Sequence, residues 1–268
     1  MESIYNYQTV RPVRPVAPYI GGKRNLAKQL VAMIDGIPCE TYAEAFIGMG
    51  GIFLRRTRRP KAEVINDYSK DVSTFFRVLQ RHYQAFLDMI RWQLTTRADF
   101  ERLLATDPDT LTDLERSARF LYLQRAAFGG KVAGRTFGVA PGAGGRFDIT
   151  KLVPMLEDVH ARLSGVVIEA LAWQAFLERY DRPSTLFYLD PPYYGSEGDY
   201  GPLFDRSQFE QLADSLRRRE GRFILSINDH PEVRRIFDGF TMEAVRTTYS
   251  VGGRGKFKEA GELIIAGG

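Results

Sequence analysis

Cysteine, histidine and long apolar runs are scarce in this chain, and each scarcity excludes a class of protein. Cys39 is the single cysteine among 268 residues, so no intrachain disulfide can form, and its apolar neighbours predict a buried or half-buried thiol. The three histidines are scattered without ligand spacing, which argues against a metal site. No apolar stretch is long enough for a transmembrane helix and no signal-peptide pattern is present, so we expect a cytoplasmic protein without a membrane partner.

What the chain does contain is Asp190-Pro191-Pro192-Tyr193, directly after the apolar run at 184–189. The run predicts a buried strand, which puts the motif at a carboxyl end, where open α/β sheets bind their ligands. Two prolines keep the backbone extended and leave carbonyl groups able to accept hydrogen bonds. With the Asp190 carboxylate and the flat Tyr193 ring, they fit a planar ring that bears an exocyclic amino group. Read alone, the motif could also be a proline turn with a capping Asp.

A glycine-rich loop occurs earlier, at Glu44-Ala45-Phe46-Ile47-Gly48-Met49-Gly50-Gly51, between a predicted strand and the start of a helix. Glycines there let the backbone approach a nucleoside closely, although the spacing differs from the dinucleotide fingerprint. Asp67 follows the next predicted strand, where α/β nucleoside sites hold a ribose. Together the loop and Asp67 favour an adenosine-type cofactor. Read alone, the carboxylate of Glu44 or of Asp67 could also be a helix cap or a solvated strand end.

The order of these motifs resembles the Dam-type DNA N6-adenine methyltransferases, which use S-adenosylmethionine. The matching motifs are Tyr19-Ile20-Gly21-Gly22-Lys23, the loop at 44–50, Asn66-Asp67 and the motif at 190–193. The resemblance continues through 193–200, 223–230 and 254–265 and is weakest in the middle of the chain. It implies methyl transfer from S-adenosylmethionine to N6 of an adenine that is flipped out of double-stranded DNA.

The resemblance also implies roles for single residues. Asp67 would hold the ribose hydroxyls of the cofactor, Glu44 and Gly48 would line the pocket near its methionine part, and Asp190 would border both cofactor and target base. The implied cofactor-binding residues are Tyr19, Lys23, Glu44, Phe46, Gly48, Asp67 and Asp190. The implied catalytic residues are Asp190, Pro191, Pro192 and Tyr193.

Three positions depart from the family pattern. Tyr19 stands where many members have Trp, Ala45 replaces Pro, and Phe209 stands where His is frequent. Tyr19 is still aromatic and can stack on the adenine of the cofactor. None of the three changes removes a group that the chemistry needs.

Basic residues are unevenly distributed, although the net charge is only +4. The arginine-rich runs at 55–61 and 217–222 are interpreted as solvated surface. A third run lies in a glycine-rich turn between two predicted strands, so Arg254 and Lys256 are predicted to contact the DNA backbone.

The middle of the chain corresponds to the target-recognition insertion of the family. Its glycine-rich, basic stretch at 128–146 cannot supply much core, so we expect a mobile loop or a hairpin tip. Arg125, Lys131 and Arg135 are the predicted DNA contacts of this region. Two interpretations stay open for each of these residues: hydrogen bonds to a guanine edge, or contact with phosphates only.

Alternating strands and helices on either side of the insertion predict an α/β fold, a Rossmann-like methyltransferase sheet with a C-terminal antiparallel hairpin. Strands are predicted at 41–45, 62–66, 166–170, 186–189 and 223–227, with the hairpin at 242–248 and 262–266. Residues 1–75 and 166–268 are assigned to the S-adenosylmethionine-binding catalytic domain, and 76–165 to a mostly helical target-recognition insertion. Within the insertion, apolar residues at helical spacing over 76–90 and 114–125 predict helices.

Two other functions stay open at this point. An RNA adenine N6-methyltransferase is one, because a flipped adenine looks alike in both nucleic acids apart from the 2′-hydroxyl of its sugar. A DNA-binding module with an inactive cofactor pocket is the other, although the motif groups are all present. A protein glutamine substrate is disfavoured, since those enzymes usually carry Asn at the position of Asp190. We expect a monomer that binds double-stranded DNA and needs no obligatory protein partner.

Overall fold

The computed structural model describes residues 5–138, 142, 144–200, 203–250 and 257–268. Its strands are β1 Gln8–Thr9, β2 Thr41–Glu44, β3 Arg58–Arg59, β4 Ala62–Asn66, β5 Val167–Glu169, β6 Thr185–Leu189, β7 Arg222–Asn228, β8 Thr241–Ser250 and β9 Phe257–Gly267. Its α-helices are α1 Ala27–Gly36, α2 Lys70–Arg81, α3 Tyr83–Ile90, α4 Arg97–Ala105, α5 Asp113–Ala126, α6 Ile149–Arg162, α7 Trp173–Tyr180, α8 Gln208–Arg217 and α9 Pro231–Ile236. In this part of the chain no helix is long and apolar enough to cross a bilayer.

The central sheet has seven strands in the order β5-β4-β2-β6-β7-β9-β8. The first five strands of that order are parallel, whereas β9 runs antiparallel to both β7 and β8. This architecture confirms the predicted α/β class, the five parallel strands and the C-terminal hairpin. The small antiparallel pair of β1 with β3 was not predicted.

The chain order reverses between β2 and β6. From β2 the sheet grows outward through β4 and β5, and the chain then returns to place β6 on the other side of β2. The register pairs Glu44 of β2 with Tyr188 of β6, two residues before Asp190. Ligands of open α/β sheets bind at such a reversal, outside the carboxyl ends of the strands. The topology therefore points to the cleft beyond Glu44 and Asp190.

Strand residues alternate between two apolar layers. In β2 and β6, Tyr42 and Leu186 face the layer that contains α1 to α6, while Ala43 and Phe187 face the layer of α7 to α9. Burial on both faces explains why these strands read as continuous apolar runs in the sequence. The helices of the insertion share the first layer with the sheet, so their apolar faces belong to one continuous core. Cys39 is buried in this layer, as predicted.

The apolar pattern at 76–90 belongs to two helices. α2 ends at Arg81 and α3 begins at Tyr83, because His82 adopts the non-helical angles φ −124° and ψ 34°. The helix predicted over 114–125 is present as α5, and Thr112 and Glu115 form a capping box at its start. After α5 the chain forms a short 3₁₀ helix at Phe128–Gly130 and an antiparallel bridge between Ala127 and Phe137.

The interpretation of the run at 55–61 as solvated surface is wrong for Arg56, which is only 1% exposed. Arg56 donates to Glu63 at 2.9 Å, and Arg59 donates to the same carboxylate at 2.9 Å. Arg162 of α6 completes the cluster with two hydrogen bonds to Glu63, at 2.6 and 2.7 Å. This buried carboxylate therefore joins β4 to the segment before it and to the last helix of the insertion.

We predict that Glu63→Gln lowers the free energy of unfolding by about 3–5 kcal/mol, because it leaves buried guanidinium groups without their counter-charge. Urea unfolding followed by tryptophan fluorescence measures the loss. Glu210→Gln is the matched control, since the Glu210–Arg235 pair is 64% and 60% exposed. Its loss is expected to stay below about 1 kcal/mol. Equal losses in the two variants would contradict a structural role for the buried cluster.

Candidate functional site

A cleft of about 1160 Å³ opens at the carboxyl ends of β2, β4 and β6. It brings together residues from all four motifs, although they are far apart in sequence. The predicted site residues that line it are Tyr19, Lys23, Glu44, Phe46, Gly48, Asp67, Arg125, Asp190 and Pro192. Pro191 is buried between Asp190 and Pro192, the two residues of the motif that line the cleft, and Tyr193 reaches the site through its contacts with Lys23.

One end of the cleft brings a hydrogen-bonded carboxylate close to an aromatic ring. Asp67 follows β4, and its two carboxylate oxygens accept hydrogen bonds from the backbone N–H groups of Gly48 and Ser69, each at 2.9 Å. Burial raises the pKa of Asp67 to about 6, and the two N–H donors oppose that shift. Gly48 has φ +50°, and a Cβ there would lie 3.0 Å from the Tyr19 ring. Glycine at this position therefore lets the aromatic ring lie directly against the loop.

Glu44 forms the floor of the cleft at the end of β2. Its side chain is buried, and the Tyr42 hydroxyl donates to it at 2.5 Å. Burial raises the pKa of Glu44 to about 8, the Tyr42 hydrogen bond opposes the shift, and the nearby charge of Asp190 adds to it. At neutral pH this carboxyl group is therefore mostly protonated and adds little negative charge to the floor.

Asp190 lies at the end of β6 beside a fully buried lysine. Lys23 Nζ lies 3.1 Å from Asp190 Oδ1, and the Ser226 hydroxyl donates to the same oxygen at 3.4 Å. Burial raises the pKa of Asp190 to about 6; Lys23 opposes that shift, and Glu262 adds to it. The Asp190 side chain keeps 21% of its surface exposed, toward the cleft that it lines.

Sequence reasoning assigned no role to Glu262, which is part of this network. Its Oε2 lies 3.1 Å from Lys23 Nζ, and the Tyr193 hydroxyl donates a short hydrogen bond to its Oε1. Lys23 also donates to the Tyr193 hydroxyl at 2.8 Å, and its ammonium group lies 4.1 Å from the ring centroid. Strand alternation could have found Glu262, because it shares a face of β9 with the buried Ile264.

Two asparagines hold the loops around the site, and sequence reasoning gave neither a role. The Asn66 amide bonds the backbone of Ala45 and Leu171, so it ties the loop after β2 to the loop after β5. Asn228 accepts from the Tyr194 N–H at 2.8 Å and donates to the Tyr194 carbonyl at 3.1 Å. This pair of bonds fixes the turn that follows Tyr193.

The predicted DNA contacts lie in different surroundings. Arg125 lines the cleft, but its guanidinium donates to the backbone carbonyls of Val16 and Arg146, both at 3.1 Å. Arg135 is half-buried and donates to Gln124 at 3.0 Å and to the Lys131 carbonyl at 3.1 Å, whereas the Lys131 side chain is exposed. Arg254 and Lys256 lie outside the described residues.

A sheet reversal, a glycine loop and two acids at strand ends together define an α/β enzyme with a nucleoside-type cofactor cleft. The model of the D12 class N6 adenine-specific DNA methyltransferases matches residues 19–251. The chain therefore belongs to this family and is an adenine-specific DNA methyltransferase. This membership confirms the predicted resemblance and favours DNA over the alternative RNA substrate.

Two relatives support this assignment along most of the chain. The Type II methyltransferase M.CviBI of Paramecium bursaria Chlorella virus NC1A is 22% identical over 233 residues, which cover 85% of this chain and 88% of the relative. The Type II methyltransferase M1.LlaDCHI of Lactococcus lactis subsp. cremoris is 24% identical over 281 residues, with coverages of 92% and 94%. Among solved structures, the rRNA methyltransferase aviRa of Streptomyces viridochromogenes is 11% identical, with 96% of this chain and 86% of that chain covered and a TM-score of 0.37.

We predict that methyl transfer slows as the pH falls through about 6, because Asp190 then gains a proton and loses acceptor capacity. The charged and titratable groups around Asp190 are Lys23, Glu44, Tyr188 and Glu262. Glu262→Gln removes a negative charge that raises the Asp190 pKa, so the acidic limb of the rate profile should move to lower pH. Single-turnover rates with labelled methyl donor across a pH series measure the shift.

Glu243→Gln on β8 serves as the control, because Glu243 is exposed and its side chain accepts from Gln29 on the surface. Its acidic limb should coincide with that of the wild type, and circular dichroism confirms that both variants are folded. An acidic limb that stays in place in Glu262→Gln would contradict the electrostatic coupling of Glu262 to Asp190.

Proposed function

We propose that the chain methylates adenine within a specific DNA site by holding the flipped-out base between Asp190 and the Pro191 carbonyl. The observation that carries this proposal is the orientation of the Asp190 carboxylate in the cleft. Lys23 and Ser226 both contact Oδ1, which fixes the plane of the group. We assign Oδ2 and the Pro191 carbonyl to the two N–H bonds of the adenine amine.

Two acceptors are needed because the amine of adenine is a poor nucleophile. Its lone pair is delocalised into the ring, and it must be localised before the nitrogen can attack a methyl group. Acceptors on both N–H bonds turn the lone pair out of the ring plane and toward the methyl donor, while the site holds the two reactants in line. As positive charge develops on the nitrogen, the Asp190 carboxylate stabilises it, and a proton leaves toward this acceptor or solvent.

S-adenosylmethionine suits the other end of the cleft as the donor, where it would supply an electrophilic sulfonium methyl group and be left as a neutral thioether once the bond between that methyl carbon and sulfur breaks. The Asp67 carboxylate, held by the N–H groups of Gly48 and Ser69, suits the two ribose hydroxyls. The Tyr19 ring offers a flat surface for adenine directly against Gly48. Phe46 lines the cleft, and Glu44 forms its floor near Asp190. A protonated Glu44 avoids electrostatic repulsion between the two neighbouring carboxyl groups.

Tyr193 is assigned to the flipped base. An adenine inside a duplex cannot reach a buried carboxylate, so the enzyme must extrude it from the stack. One face of the Tyr193 ring receives the Lys23 ammonium group, and the hydroxyl is held by Glu262. We assign the other face to the adenine ring, which stacks there while Asp190 holds its amine.

The duplex is assigned to basic residues. Arg125 lines the cleft, and Lys131 and Arg135, which follow it in sequence, are proposed to contact DNA. Arg254 and Lys256 are proposed as DNA contacts from the sequence alone, because they lie outside the described residues.

Because both relatives are Type II methyltransferases, we assign the chain to site-specific modification of the kind that accompanies restriction. We propose that it acts as a monomer, since Lys23, Asp67 and Asp190 of one chain line a single cleft.

We predict that Asp190→Asn slows methyl transfer about 10²–10³-fold, because the amide loses the charged acceptor. Transfer of labelled methyl to plasmid DNA measures the rate, and calorimetry checks that the variant still binds S-adenosylmethionine. Asp229→Asn is the control, because it alters a carboxylate at the end of the neighbouring strand β7 that pairs with Arg234. An Asp190→Asn variant as fast as wild type would refute the assignment.

Sequencing of N6-methyladenine in DNA from cells that express the protein tests activity and site preference together. A product confined to one short sequence context supports site-specific modification. Unmodified DNA in those cells, with soluble and folded protein, would count against the proposed function.

We predict that 2-aminopurine placed at the target position becomes more fluorescent on binding, because it leaves the base stack. Tyr193→Ala should raise the signal further, since it removes the ring that stacks on the flipped base, whereas Tyr193→Phe should match the wild type. Steady-state fluorescence with bound cofactor measures the three proteins side by side. A signal unchanged by saturating wild-type protein would contradict base flipping.

A further inference from the structure

Three arginines outside the predicted DNA contacts lie along the same cleft as Asp190. Arg14, Arg24 and Arg55 all line it, and we call them the arginine cluster. The backbone explains how two of them meet: the Val13 N–H donates to the Leu54 carbonyl at 2.8 Å, which makes positions 14 and 55 neighbours on adjacent segments. Arg14 and Arg24 are exposed, whereas Arg55 is half-buried.

The Arg55 guanidinium lies against the glycine loop at 44–51. Its Nη1 donates to the Gly51 carbonyl, and a Cβ added to Gly51 would lie 4.0 Å from that nitrogen and 3.8 Å from the backbone N of Lys23. Arg55 is therefore next to the segment that carries Lys23 and Arg24. Burial lowers the pKa of Arg55, and the positive charges of Arg24 and Arg14 lower it further, as expected for neighbouring cations.

The arginine cluster differs in its salt bridges from Arg56, the residue directly after Arg55. Arg56 is neutralised by Asp35 and Glu63, at 3.1 and 2.9 Å. Among the residues that the structure describes, the salt bridges include none to a member of the arginine cluster. Three like charges beside one another create a positive potential at the cleft, which attracts an anion.

We propose that the arginine cluster binds a phosphodiester of the DNA strand that carries the target adenine. This inference rests on the proposed function, because extrusion of the base into the cleft brings the phosphates on either side of it to the cleft wall. Two exposed cations and one half-buried cation suit an anion that arrives on a polymer from outside. Such a contact would position the strand without reading its sequence.

We predict that the double variant Arg14→Gln/Arg24→Gln binds DNA with a weaker salt dependence. Loss of one phosphate contact lowers the magnitude of the slope of log K against log salt concentration by about 0.9. Fluorescence anisotropy with a labelled duplex of mixed sequence, at several salt concentrations, measures the slope. Arg218→Gln is the control, because Arg218 is exposed at the end of α8 and does not line the cleft.

A second measurement separates the two anions that could meet the cluster, since S-adenosylmethionine also carries a carboxylate. Calorimetry with S-adenosylmethionine alone should give Arg55→Gln the same affinity as the wild type. A weaker cofactor affinity with an unchanged DNA slope would assign the cluster to the cofactor carboxylate and overturn the proposal. Unchanged values in both measurements would overturn it as well.

A third measurement locates the contact. Duplexes that carry a single neutral methylphosphonate linkage, moved stepwise along the strand around the methylated adenine, should weaken wild-type binding most beside that adenine. The double variant should be much less sensitive at the same linkage, because two of the three cations of the cluster are already missing. Equal sensitivity of both proteins at every linkage would contradict the proposed position.

Failure of this proposal and failure of the proposed function give different results. Asp190→Asn should lose methyl transfer and keep the wild-type salt slope, whereas the arginine variants should change the slope whatever their rate of transfer. A wild-type protein that methylates no DNA would refute the function and leave the slope measurement valid. An unchanged slope in an active enzyme would refute only the phosphate subsite.

Discussion

The buried ammonium group of Lys23 is the interaction on which the site depends. A charge without exposed surface is very costly unless it is paired and hydrogen-bonded, and here Asp190, Glu262 and Tyr193 supply the partners. The three partners come from the end of β6, the turn after it and β9. The pairing therefore fixes, by one set of contacts, the relative positions of the loop before α1, the motif at 190–193 and the C-terminal hairpin.

The sheet topology supplies the other constraint. Because β2 and β6 are neighbours at the reversal of strand order, their carboxyl ends bring Glu44 and Asp190 to the same cleft. The loop after β4 adds Asp67 on the adjacent strand. Parallel strands thus bring distant sequence motifs to one cavity, and the antiparallel strand β9 places the buried Glu262 against Lys23 beside it.

The sequence patterns predicted those features that depend on residues close together in the chain. The apolar runs identified the parallel strands because both of their faces are buried, and the motif at Asp190 was found because prolines and an acid end such a run. Non-local contacts escaped prediction for the same reason. Arg56 was interpreted as surface because its partner Glu63, which also binds Arg162, belongs to another element. The helix break at His82 was missed because the apolar pattern continues through it. The role of Glu262 was not predicted because Lys23, which it contacts, lies near the other end of the chain.

The carboxyl groups of the cleft differ in how far they are ionised at neutral pH. Burial keeps Glu44 mostly protonated at neutral pH, with a pKa of about 8, whereas Asp67 and Asp190, at about 6, are mostly ionised. Each ionised carboxylate has fixed donors: backbone N–H groups for Asp67, and Lys23 with Ser226 for Asp190. A cleft with two compensated negative charges and an arginine-rich wall can admit a phosphate backbone that a fully ionised floor would repel. On the proposed function, burial has two effects: it keeps the Asp190 carboxylate in place as an acceptor for the amine of adenine, and it reduces the negative field that DNA meets at the cleft.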